Sequence, residues 1–169
     1  MWKRRTFHEC AEELEMVSRA FRRAYTDSSS IDPTNRMRVL HESSEKGIEI
    51  LRILALSIRS EQDFGNLPKR SITVGALKNA VNENEITVTL SNYQPPYEEK
   101  TDFEPLVLRE ALNKIAHANP SRAGFFASTA THDLILSGKK GDRNWVAILS
   151  IIDLCHAIKS LPDQTTQQD

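Results

Sequence analysis

Phe7, Cys10, Leu14, Val17, Phe21 and Ala24 recur at alternating spacings of three and four residues. That pattern lines one face of a helix and demands a partner helix along it. A second seam follows: Leu40, Ser44, Gly47, Leu51, Leu54 and Ile58. Asp32-Pro33 marks its start, a capping carboxylate followed by proline at the first helical position, where its missing N–H has no intrahelical acceptor to lose. The predicted helices run from about Lys3 to Tyr25 and from Asp32 to about Glu61, with Asp27-Ser28-Ser29-Ser30 as the loop. A connection this short favours an antiparallel hairpin. Ser44 and Gly47 let a partner helix come close. Ile48, Ile50 and Ile53 widen the second half of the seam, which places that half between more than one neighbour.

Gly65-Asn66-Leu67-Pro68 breaks the chain. Ser71–Val81 is ambiguous: Ile72-Thr73-Val74 favours strand, whereas Ala76-Leu77-Lys78-Asn79-Ala80-Val81 favours a short helix, the reading preferred here. Ile86-Thr87-Val88-Thr89-Leu90 alternates with β-branched residues and reads as a strand. Tyr93 to Lys100 reads as a loop. Thr101-Asp102-Phe103-Glu104 fits a capping box and is expected to open a helix that Asn119-Pro120 ends. Thr131–Ser137 and Asn144–Ser150 read as a strand pair around the loop Gly138 to Arg143, and Ile151–Leu161 as a closing helix stopped by Pro162. The expected fold class is therefore mainly α. It is a helical bundle built on a long antiparallel hairpin, forming a single domain over 1–162, with a small β-hairpin appendage at about 131–150. The polar stretch 163–169 is expected to be disordered.

The chain has 169 residues, enough to bury a core without staples. A net charge of −1 argues against a protein that coats DNA, although Lys139, Lys140 and Arg143 cluster late in the chain and can touch phosphate locally. Cys10 and Cys155 fall on apolar helical positions and read as buried, reduced thiols, with neither a disulfide framework nor metal spacing. The basic start lacks the apolar run of a signal peptide, and Ile48–Ile58 is too short and too charged to span a bilayer. A cytoplasmic protein with no membrane partner and no cofactor is the expectation.

The stretch Leu108–His117 carries the most chemistry. Leu108, Ala111, Leu112 and Ile115 share an apolar stripe, while Arg109, Asn113 and His117 stand four apart on a polar one. Cutting a phosphodiester requires a proton acceptor near neutral pH and donors for developing negative charge; an imidazole and a guanidinium supply these. Along the axis Arg109 and His117 are about 12 Å apart at 1.5 Å per residue, so they can converge only around a ligand or with a second copy of the helix. The alternative is a solvated face. Gly138-Lys139-Lys140-Gly141 lacks the upstream glycine and trailing hydroxyl of a phosphate loop, and reads as a hairpin tip able to supply unspecific attraction. His41-Glu42-Ser43-Ser44-Glu45 lacks the second histidine of a zinc helix. His8, His132 and His156 read as structural or exposed, and Trp145 as core.

Asn113-Lys114-Ile115-Ala116-His117, late in a chain that opens with two long helices, resembles the signature of the HEPN superfamily. That signature is an arginine, a following polar residue and a histidine four to six positions on. The resemblance implies a homodimer, with Arg109 as phosphate-stabilising cation, Asn113 as polar partner and His117 as proton-transfer residue of a metal-independent endoribonuclease. Many members form such a site across a homodimer; others have lost activity and serve as antitoxin, effector or dimerising modules. Here Leu112 stands where the motif has arginine, and seven residues separate Arg109 from His117. The departure favours a dimerising interaction or regulatory module that binds RNA or a protein partner, with the ribonuclease as the alternative.

Overall fold

The computed structural model of the chain describes residues 5–27 and 32–162. The expected helix start at Lys3, most of the serine loop and the tail 163–169 lie outside the described residues. Helix α1 (Phe7–Thr26) begins at a capping box: Thr6 Oγ1 accepts from the Glu9 N–H at 3.1 Å, and the Glu9 carboxylate accepts from the Thr6 N–H at 3.0 Å. Helix α2 (Pro33–Asp63) starts with Pro33 in its first turn as expected, but the Asp32 carboxylate at the N-cap makes no capping hydrogen bond. Arg36 donates to the Ala24 and Tyr25 carbonyls at 2.6 Å each, so the start of α2 satisfies the end of α1. Further along, Lys46 Nζ lies 3.5 Å from Glu13, as an antiparallel pairing requires. Leu14, Leu51, Leu54 and Ile58 are buried along the two seams. Ile48 and Ile53 are not covered, so the second half of α2 keeps one open flank.

The remainder corrects the expectation of a helical bundle with an appendage. Among the described residues five strands form one antiparallel sheet in the order β2-β1-β5-β4-β3, and the fold is mixed α/β. The strands are β1 (Thr73–Val81), β2 (Glu104–Val107), β3 (Gly124–Ala127), β4 (His132–Lys140) and β5 (Arg143–Ser150). The hairpin expected as an appendage is β4–β5, and it is the middle of the sheet. Along β5, Trp145, Ala147 and Leu149 face one core while Val146 and Ile148 face the other. The first core is covered by α1, α2, α4 (Leu108–His117) and α5 (Ile151–Lys159). The second is covered by α3 (Glu83–Asn92), Tyr93 and the 3₁₀ turn Tyr97–Glu99.

Three local readings change with the sheet. Ser71–Val81, read as a short helix, holds strand β1, whose ladder bonds to β2 and β5 outweigh the helical propensity of Ala76-Leu77-Lys78. Gly75 is required there, because a Cβ would lie 1.9 Å from the Ile148 carbonyl oxygen. Ile86–Leu90, read as a strand, lies in α3: Asn82 and Glu85 form a reciprocal capping box, and Ile86, Thr89 and Leu90 present one helical face to the sheet. Thr101–Glu104 does not open a helix. Glu104 begins β2, which pairs with β1, and α4 starts directly after it at Leu108.

Candidate nucleic-acid interface

Helix α4 buries Leu108, Ala111 and Leu112, with Ile115 packed at the edge of the same core. This fixes the rotation of the helix and turns Arg109, Asn113 and His117 toward an open concavity of about 430 Å³. After His117 the chain is pinned to the sheet, the Asn119 N–H donating to the Ser137 carbonyl at 2.8 Å. At Gly138 a Cβ would meet Trp145 at 2.6 Å and the His117 carbonyl oxygen at 2.9 Å, so only glycine lets β4 come this close to the end of α4. Lys139 and Lys140 follow at once and line the same concavity. Gly141-Asp142 forms a tight turn with Gly141 at φ 65°, and the ladder pairs Lys140 with Arg143. Arg143 lines an adjoining concavity of about 420 Å³ that shares Glu110, Lys114, Lys140 and Trp145 with the first.

The structure therefore gathers the residues expected from sequence, Arg109, Asn113, His117, Lys139, Lys140 and Arg143, along one continuous groove. Their chemical states differ. Arg109 is committed: Nη1 donates to the Arg59 carbonyl at 3.2 Å and to Gln62 Oε1 at 3.4 Å, and Nη2 lies 3.0 Å from Asp63. The guanidinium in turn holds the Asp63 carboxyl below its usual range. Asn113 donates to Glu110 at 3.4 Å, and His117 is exposed at the last residue of α4. Lys139, Lys140 and Arg143 are exposed and make no salt bridge among the described residues.

Sequence reading missed Lys114, Arg59 and the role of Trp145. Lys114 is only 5% exposed; its ammonium sits 4.5 Å from the Trp145 ring centroid and 3.2 Å from Glu110, which together offset its desolvation. Trp145, 2% exposed, is a rigid wall and is too enclosed to stack on a base. Arg59 Nε is buried with no hydrogen-bond partner among the described residues. The one signal for Lys114 was its (i, i+4) spacing from Glu110. Arg59 lies on a different helix, beyond the reach of any local pattern. The groove thus sets Arg59, Arg109, Lys114, Lys139, Lys140 and Arg143 against Glu110 and Asp142.

Away from the groove, Tyr93 and Tyr97 donate to Asp133 and Asp153 at 2.6 and 2.5 Å. Desolvation raises both tyrosines and Asp133 above their ordinary values, so these pairs are structural ties rather than acid–base groups. No group of three or more His, Cys, Asp or Glu among the described residues is placed to hold a metal ion. Cys10 and Cys155 are buried free thiols. No described helix is long and apolar enough to cross a membrane. Comparison with protein families, curated proteins and solved structures finds no match to this chain.

Proposed function

We propose that the groove between α4, the end of α2 and the β4–β5 hairpin binds single-stranded RNA through its phosphates, and that the protein is a cytoplasmic RNA-binding regulatory module. The observation that carries this reading is the convergence of Lys139, Lys140 and Arg143, each exposed, beside Lys114 and Arg109 on the wall of one open groove. Cations that meet no protein carboxylate are the ones that gain by releasing counterions from a nucleic acid. The enclosed Trp145 offers no stacking platform, so the binding is to backbone and carries little sequence preference.

Cleavage is the second reading, favoured by the placement of Arg109, Asn113 and His117 on the same wall. Against it, a phosphate must displace Asp63 before it reaches both Arg109 terminal nitrogens. The test is fluorescence polarisation with a labelled single-stranded RNA over a salt series. If Lys139, Lys140 and Arg143 each neutralise one phosphate, replacing all three by Ala lowers the slope of log K against log salt by about 2, at about 0.7 per contact for single strands. An unchanged affinity and slope refutes the groove as the binding site. RNA recovered shortened, with His117→Ala restoring intact RNA at the same affinity, would replace the binding module with a ribonuclease.

A further inference from the structure

A second cavity, apolar and of about 230 Å³, opens between α1, α2 and the β3–β4 edge of the sheet, and it shares no residue with the basic groove. Val17 and Phe21 of α1, Gly47 of α2, Phe125 of β3, and His132 and Leu134 of β4 line it. Its aromatic wall is already ordered: Phe21 stacks on His132 at 5.0 Å with the rings 6° apart, and Phe125 meets Phe21 edge-on at 5.1 Å. Ser18 Oγ lies 2.8 Å from His132 Nδ1, which orients the ring; Nε2 makes no hydrogen bond among the described residues and is not sealed from solvent. Burial holds this imidazole neutral, and nearby Arg22 acts in the same direction.

The wall is mostly carbon, interrupted by Ser18, Ser43, Ser44 and His132, and it opens to solvent beside the exposed Ile48 and Phe125. An apolar ligand entering it therefore displaces water that finds few polar partners there. An apolar cavity of about 150 Å³ stays dry and accepts benzene, so this one has room for roughly ten heavy atoms. We propose that the cavity binds a small neutral aromatic molecule of bicyclic size, with one hydroxyl or carbonyl group hydrogen-bonded to His132 Nε2. The stacked rings select a flat ligand. The neutral imidazole beside Arg22 offers nothing to an ammonium group.

The probe is 1-naphthol, followed by its own fluorescence in a titration with purified protein, with naphthalene as the comparison. Saturable binding is expected, tighter for naphthol than for naphthalene. Gly47→Leu is expected to fill the space at little structural cost, because a Cβ at Gly47 meets only Val17, at an ordinary 3.7 Å. Leu134→Phe fills it from the opposite wall. Each should weaken naphthol at least tenfold while the circular dichroism spectrum is retained. His132→Phe should bring naphthol and naphthalene to equal affinity. No saturable change up to the solubility of naphthol, or wild-type affinity in both filling variants, overturns the proposal. RNA binding reads the other groove and is independent of either outcome.

Discussion

The half-buried imidazole of His132 makes stability depend on pH in a way that can be isolated. Desolvation, the larger cause, and the Arg22 charge push this ring down from 6.5 to about 4. In the unfolded chain it takes up a proton as pH falls through about 6.5, while in the folded protein it stays neutral until about 4. Between these values the unfolded state holds more protons, so stability falls with falling pH by about 1.4 kcal/mol per pH unit, about 3 kcal/mol in all. Asp133, the next residue, works in the opposite sense. Its folded value is raised, so its contribution is greatest at low pH and is lost as pH rises through that value. The two are separated by comparing wild type with His132→Phe, which keeps a flat ring against Phe21 and cannot titrate. Freed of its partner, the Ser18 hydroxyl can turn to its own helix backbone, a change that is the same at every pH. Urea denaturation at pH 7, 5.5 and 4.5 should show the stability difference between the two proteins moving by about 2–3 kcal/mol in favour of the variant as pH falls. Parallel stability curves would mean that the ring is solvated and titrates normally, and the account of its burial would be wrong.

Tyr93→Phe removes the donor 2.6 Å from Asp133, whose side chain is 2% exposed. The loss should be about 1.5–3 kcal/mol at pH 7 and smaller at pH 4, because the Tyr93 hydrogen bond favours the charged carboxylate over its protonated form. Equal losses at both pH values would show that the hydroxyl does not stabilise the charge. Gly75→Ala drives a Cβ to 1.9 Å from the Ile148 carbonyl and should cost about 3 kcal/mol or more, read as a lowered thermal midpoint. An unaltered midpoint would show that β1 and β5 are not paired in the register Gly75↔Leu149.

The helical half of the fold was legible because its signals are local and long. Heptad seams recur over many turns in α1 and α2, and Asp32-Pro33 punctuates them. The sheet was obscured for a different reason in each strand. β2 and β3 have four residues each, too few for a period to declare itself. β1 lies between two covered faces, so Val74, Gly75, Ala76 and Leu77 are all buried and no inside–outside alternation survives. In α3 the β-branched run Ile86-Thr87-Val88-Thr89 argued for strand, yet the decisive signal preceded it. Asn82 and Glu85 satisfy one another's backbone N–H groups, and that pair starts a helix whatever the propensity of the turn that follows. The same Thr6/Glu9 signature sets the start of α1.

In the groove, spacing on α4 identified which residues face outward, but it could not reveal which of their charges are already used. Arg109 looked like the phosphate-binding cation because arginine is the best donor on that stripe. Asp63, 46 positions earlier in the chain, takes that role from it through a 3.0 Å ion pair. The cations left to meet a ligand are Lys139 and Lys140, carried to the end of α4 by the close approach at Gly138, and Arg143 across the turn. An approaching polyanion therefore meets the hairpin first, and Arg109 only where its attraction outcompetes Asp63. Asp63→Asn would remove the charge that competes for Arg109 Nη2 without touching the hairpin, while Nη1 keeps its bonds to the Arg59 carbonyl and Gln62. Tighter RNA binding by this variant than by wild type would show that the pair restrains the groove, whereas equal binding would confine recognition to the hairpin cations.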